Sequence, residues 1–166
     1  MYFITGGARS GKSKYAMELA LQLSPTPLYI ATARRWDAEF EHRIQRHVAD
    51  RGSSWVALEV EKDINAIKLN GSVAVLDCIT LWLTNFFVDN NHDVDKTLKQ
   101  TREQLDEFIK QESTIFIISN EIGMGVHAAT EAGRKFTDLQ GWINQYLAEK
   151  AERVILMVSG IPVTIK

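Results

Sequence analysis

At 166 residues, with 45% hydrophobic and 24% charged side chains, the chain has the size and composition of one ordinary globular domain with a single core, expected to span residues 1–166. A net charge of −2 spread along the sequence argues against a large surface for nucleic acid or acidic lipid, though a small anion needs only a local basic cluster. Cys78 is the only cysteine, and there is no signal-peptide pattern or apolar run of the ~18 residues a membrane span requires; an internal disulfide and an all-cysteine metal site are excluded, and a reducing cytoplasm is the expected setting.

The chain starts with an apolar strand pattern, Tyr2-Phe3-Ile4-Thr5, which runs directly into Gly6-Gly7-Ala8-Arg9-Ser10-Gly11-Lys12-Ser13. A glycine, four open positions and then Gly-Lys-Ser is the phosphate-loop pattern. Its glycines let the backbone wrap phosphate oxygens beneath a helix N-terminus; Lys12 would reach the β and γ phosphates and Ser13 would hold Mg²⁺. A bare glycine-rich turn would satisfy the letters, but the context is that of a site: strand before, helix after. That helix is read from Tyr15, Leu19 and Leu23, with Met17 and Ala20 beside them.

Ser24-Pro25-Thr26-Pro27 breaks the helix, and Leu28 to Thr32 reads as a buried strand. From Trp36 to about Ala49 the period is helical, through Trp36, Phe40, Ile44 and Val48. Trp55–Val60 and Val73–Asp77 are further strands, and a helical stretch leaves from Ile79. Val94–Ile109 is a long amphipathic helix, Thr114–Ser119 a short buried strand, and Arg134–Lys150 a helix with Phe136, Leu139, Ile143 and Leu147 inward. Val154–Val158, a Ser159-Gly160 turn and Ile161–Ile165 close the chain as a hairpin with an antiparallel edge strand. Strands alternating with helices predict an α/β fold: a mostly parallel sheet with helices on both faces. Ligands bind at the carboxyl ends of such strands, so Thr5, Thr32, Glu59, Asp77 and Asn120 are expected around the phosphate loop.

Asp77 ends an apolar strand, where a phosphate loop's acidic partner would bind Mg²⁺ directly or through water; the plainer reading is a cap for the helix from Ile79. His47 lies on the helical pattern between Arg43 and Arg51, each four residues away. A core-edge histidine and a solvated arginine face are the plain readings. Two guanidiniums beside an imidazole also suit a phosphate site, and they would lower the histidine's pKa and keep a ring nitrogen available as nucleophile. Glu121-Ile122-Gly123-Met124-Gly125 reads as a flexible loop near the site, and His42, His92 and His127 as surface residues without metal-ligand spacing.

TGGARSGKS, YIATARRWDAEFEHRIQRHVADR, VLDCITLWLTN, SNEIGMG and VSGIPVTIK together resemble the bifunctional adenosylcobinamide kinase / adenosylcobinamide-phosphate guanylyltransferase family of cobalamin biosynthesis, over nearly the whole chain. The resemblance implies a RecA-like fold, a homotrimer, and two reactions: phosphorylation of adenosylcobinamide with ATP or GTP, then transfer of GMP from GTP to adenosylcobinamide phosphate. It implies that His47 is the guanylylated residue. Nucleotide contacts would fall on Gly6, Gly7, Ala8, Arg9, Ser10, Gly11, Lys12 and Ser13, on Ala31, Thr32 and Ala33, on Val48, Ala49, Asp50 and Arg51, and on Glu59 and Asp77. The chain departs from the family pattern in having His127-Ala128-Ala129-Thr130 where a Pro-Glu-Asn-like stretch is common, and Asp77 where Glu is frequent. A kinase that catalyses only the first reaction, and a RecA-like nucleotide-gated nucleic-acid module, are the rival readings; the lack of a basic stripe counts against the second.

Overall fold

The computed structural model describes residues 1–34 and 54–166, so the helical pattern over 36–49, with His47 and Val48 to Arg51, lies outside the described residues. The chain runs through β1 (Tyr2–Gly6), α1 (Lys12–Leu23), β2 (Leu28–Ala31), β3 (Val56–Glu59), β4 (Val73–Asp77), α2 (Ile79–Asp89), α3 (Val94–Ile109), β5 (Thr114–Ile118), α4 (Glu131–Lys150), β6 (Arg153–Val158) and β7 (Ile161–Thr164). The strands form one sheet in the order β3-β2-β4-β5-β1-β6-β7. Every neighbouring pair is parallel except β6 with β7, which supply the expected antiparallel edge. Among the described residues no helix is long and apolar enough to cross a membrane.

The two faces of the sheet are covered differently. Trp82, Leu105, Phe108, Leu139, Ile143 and Leu147, from α2, α3 and α4, pack with strand residues such as Phe3, Leu76 and Ile117. On the other face α1 packs through Ala16 and Ala20 on Ile4, Val75, Phe116 and Ile155. The α1 stripe is therefore one position away from the Tyr15, Leu19 and Leu23 expected, and Leu23 is 57% exposed. Alanine has little side chain to hold the backbone off the sheet. The small residues therefore face inward and the large ones flank them, fixing how closely the helix that leaves the phosphate loop approaches the strands.

Helix α4 starts three residues earlier than its apolar period suggests. The Thr130 hydroxyl accepts from the Gly133 amide at 3.1 Å, an N-cap that adds a turn ahead of the buried stripe. Register sets the working rim. Glu59, Ala31, Asp77, Ile118 and Ile4 lie in one row across β3, β2, β4, β5 and β1, so two acids from separate strands end level with each other beside the phosphate loop.

Candidate active site

The loop between β1 and α1 is built to turn its backbone inward. Gly6 has φ +147°, and a Cβ there would lie 2.5 Å from the Met157 carbonyl oxygen, so only glycine is accommodated. Gly11, at φ +94°, is the N-cap of α1; it brings no side-chain cap bond, and the helix has no acid in its first turn. The first turn of α1 thus has neither a cap bond from Gly11 nor an acid of its own, and with the helix dipole it favours an anion. Lys12 is 7% exposed because its ammonium folds into the loop, donating to the carbonyls of Gly6 at 2.9 Å and Gly7 at 2.6 Å. The outer wall is the β6–β7 turn: the Gly160 amide donates to the Ser10 carbonyl at 2.9 Å, and a Cβ on Gly11 would meet the Gly160 Cα at 3.2 Å.

Above this loop opens a cavity of about 720 Å³. Ala8 to Ser13 form its floor, and Ala31, Ala33, Glu59, Asp77 and Asn120 contribute from the strand ends. Asp77 accepts from the Tyr29 hydroxyl at 2.6 Å. It does not cap α2, whose N-cap is Cys78, without a side-chain cap bond. The carboxylate thus faces the cavity rather than the helix. Cys78 shares the wall, but burial, and then the charge of Asp77, push its thiol up to about 12, so it stays protonated and unreactive near neutrality.

Residues 2–165 match the family model described as cobinamide kinase / cobinamide phosphate guanyltransferase. The chain belongs to this family of transferases. It is 39% identical to the bifunctional adenosylcobalamin biosynthesis protein CobP of Pseudomonas aeruginosa, over 98% of this chain and 95% of that one. It is 34% identical to the proteins named CobU of Escherichia coli and Salmonella typhimurium, over 100% of this chain and 99% of each.

In this cobinamide kinase / guanyltransferase the expected site residues divide into three groups. Ala8 to Ser13, Ala31, Ala33, Glu59 and Asp77 share the cavity, while Gly6 and Gly7 shape the loop beneath it. Thr5 and Thr32 are not among the cavity's walls. Thr32 is fully buried, with its hydroxyl donating to the Cys78 carbonyl at 2.8 Å and accepting from the Cys78 amide at 2.9 Å. It joins the end of β2 to the end of β4, so its place at the rim is that of a brace. Its direction could not be read from a strand that is apolar on both faces. His47 and Val48, Ala49, Asp50 and Arg51 lie outside the described residues. His92 and His127 are exposed, as expected.

Two positioning features went unread in the sequence. Asn85, buried in α2, donates to the carbonyls of Thr32 at 2.9 Å and Glu61 at 2.8 Å, tying together the chain just beyond β2 and β3. Arg34 donates to Glu61 at 2.7 Å and to both oxygens of Asp89 at 2.8 and 3.0 Å, and Lys62 donates to Asp89 at 2.8 Å. Arg34, then Lys62, hold the Asp89 carboxyl well below the usual carboxylate range. A depressed carboxylate stabilises the fold above its unfolded pKa of about 3.9, and the gain is lost as pH falls through the folded value. Arg34→Met should therefore lower stability by up to ~1 kcal/mol at pH 7, a figure already discounted for solvent screening. Urea midpoints compared at pH 7 and below pH 3 should show the deficit shrinking in acid. An equal deficit at both would assign the loss to packing of the arginine stem.

Proposed function

We propose that this family member phosphorylates adenosylcobinamide with ATP or GTP and then transfers GMP from GTP to adenosylcobinamide phosphate through a guanylyl-histidine at His47. The observation that carries the nucleotide part is the convergence of Lys12, the N-terminus of α1, which has no acid in its first turn, and the Asp77 carboxylate on one cavity. Relatives similar over nearly their whole length and named bifunctional support the pairing of the two reactions. We further infer a homotrimer acting in the cytoplasm.

The donor set fits Mg²⁺. Ser13 and Asp77 offer hard oxygen ligands in the same cavity, and among the described residues no group of three His, Cys, Asp or Glu could cage an ion. Two protein oxygens completed by phosphates and water are the usual surroundings of Mg²⁺, which when bound would neutralise phosphate charge. The chain's own groups do the rest. The loop amides and Lys12 fix the triphosphate and stabilise charge that develops on its oxygens, which is most of what phosphoryl transfer to an alcohol needs. For the second reaction a neutral His47 nitrogen attacks the α-phosphorus of GTP; a P–N bond forms and pyrophosphate departs. An oxygen of adenosylcobinamide phosphate then attacks the same phosphorus, breaking the P–N bond and returning His47. Two easier displacements replace one difficult one.

With Mg²⁺, GTP carrying label on the α-phosphate should mark the protein covalently, and γ-labelled GTP should not. The adduct should add one GMP in mass, survive mild base and come off in acid, as a phosphoramidate does. A protein that turns over GTP yet stays unlabelled would exclude the covalent route and leave a kinase alone.

A further inference from the structure

We propose that Tyr29 is a positioning residue that makes the metal site prefer Mg²⁺ to Ca²⁺ by committing one oxygen of Asp77. This rests on the reading of Asp77 as a metal ligand and adds to it the reason for cation choice. The Tyr29 hydroxyl donates to Asp77 Oδ2 at 2.6 Å across neighbouring strands, with Tyr29 opposite Val75 and Asp77 one step further along the same face. Little can move. Tyr29 is 3% exposed, its ring meets Trp55 edge-on at a centroid distance of 5.8 Å, and it packs in the cluster that holds Ala16, Ala20 and Val75. A phenol has two side-chain torsions, both blocked here by neighbours, so the donor arrives from a rigid direction.

The chemical consequence follows from how the two cations use carboxylates. Ca²⁺ takes six to eight oxygens and readily grips both oxygens of one carboxylate, whereas Mg²⁺ holds six in a tight octahedron and takes carboxylates through one oxygen or through water. A carboxylate with Oδ2 held by a buried hydroxyl can offer Oδ1 at no cost. It can chelate through both oxygens only by breaking a charge-assisted bond inside the protein. The arrangement leaves single-oxygen binding intact and penalises the bidentate alternative. Asp77 supplies the charge; Tyr29 decides how it is presented.

The test compares the wild type, Tyr29→Phe and Asp77→Asn. The affinity of each for a non-hydrolysable GTP analogue is measured calorimetrically with Mg²⁺, with Ca²⁺ and with EDTA. Tyr29→Phe keeps the ring and removes the hydroxyl that donates to Asp77. It should reduce the preference for the Mg²⁺ complex over the Ca²⁺ complex by about tenfold, the size expected for a hydrogen bond to a charged group, with affinity in EDTA unchanged. Asp77→Asn should weaken both metal complexes relative to its own EDTA value, which should hold or rise as a negative charge beside the triphosphate is removed. An unchanged Mg²⁺/Ca²⁺ ratio in Tyr29→Phe, with Asp77→Asn behaving as stated, would overturn the role of Tyr29 and spare that of Asp77. Equal weakening of Tyr29→Phe under all three conditions would also overturn it, since a purely structural residue acts that way. If Asp77→Asn changes nothing, the ligand reading of Asp77 fails, and the proposal with it.

Discussion

Lys12→Ala is expected to abolish both transfers, each rate falling by at least ~10³-fold, because both reactions need the same triphosphate held and neutralised. Removing one charged donor from a preorganised transition-state site costs several kcal/mol, and each ~1.4 kcal/mol is a factor of ten. The geometry explains why no neighbour can substitute. Lys12 is the first residue of α1, its ammonium is directed into the loop by the carbonyls of Gly6 and Gly7, and it is 7% exposed. Lys12→Arg should rescue little, since a planar fork does not fit where a compact ammonium is held. Helix propensity favours alanine, so the fold should survive, and a melting curve beside the two steady-state rates separates catalytic loss from unfolding. Kinase turnover near the wild-type rate in Lys12→Ala would show that this loop does not serve the first reaction.

His47→Asn is expected to divide the two reactions. Guanylyl transfer and covalent labelling should both vanish, while phosphorylation of adenosylcobinamide keeps a large part of its rate, because Lys12, Ser13 and Asp77 remain. Labelling of the wild type should fade as pH drops below the histidine's pKa, since imidazolium has no lone pair with which to attack. A histidine that merely completes a core predicts the opposite pattern: a less stable protein with both rates reduced together and a wild type that never labels. Parallel assays of the half-reactions, with a melting curve for the variant, distinguish the two.

What could be read from the sequence was whatever depends on neighbours along the chain. The phosphate loop is eight consecutive residues between a strand and a helix, and its function is carried by backbone, so the pattern suffices. Helix α3 announces itself because one face is apolar and the other charged; Leu105 and Phe108 are buried as the period requires. Relations between distant strands could not be read in this way. Tyr29 and Asp77 stand 48 positions apart and meet only because β2 and β4 are adjacent. Thr32 looked like a rim residue and turned inward, since a strand buried on both faces has no alternation to show which way a side chain points. In α1 the larger apolar residues Tyr15 and Leu19 pack only at the flank of the stripe centred on Ala16 and Ala20, because small residues can be chosen for close approach as well as for hydrophobicity.

The seating of Gly160 against Ser10 and Gly11 also limits how this chain can change. The tip of a β-hairpin is ordinarily where a protein accepts added residues, a peptide tag or a grafted loop, because it faces solvent and touches nothing. Here the two residues between β6 and β7 are a wall of the phosphate loop, so lengthening that tip would disturb ligand contacts more than ten dozen positions away along the chain. Anyone inserting a sequence into this protein would do better at the exposed Asn70-Gly71 turn, which leads into the start of β4, at the far end of that strand from Asp77.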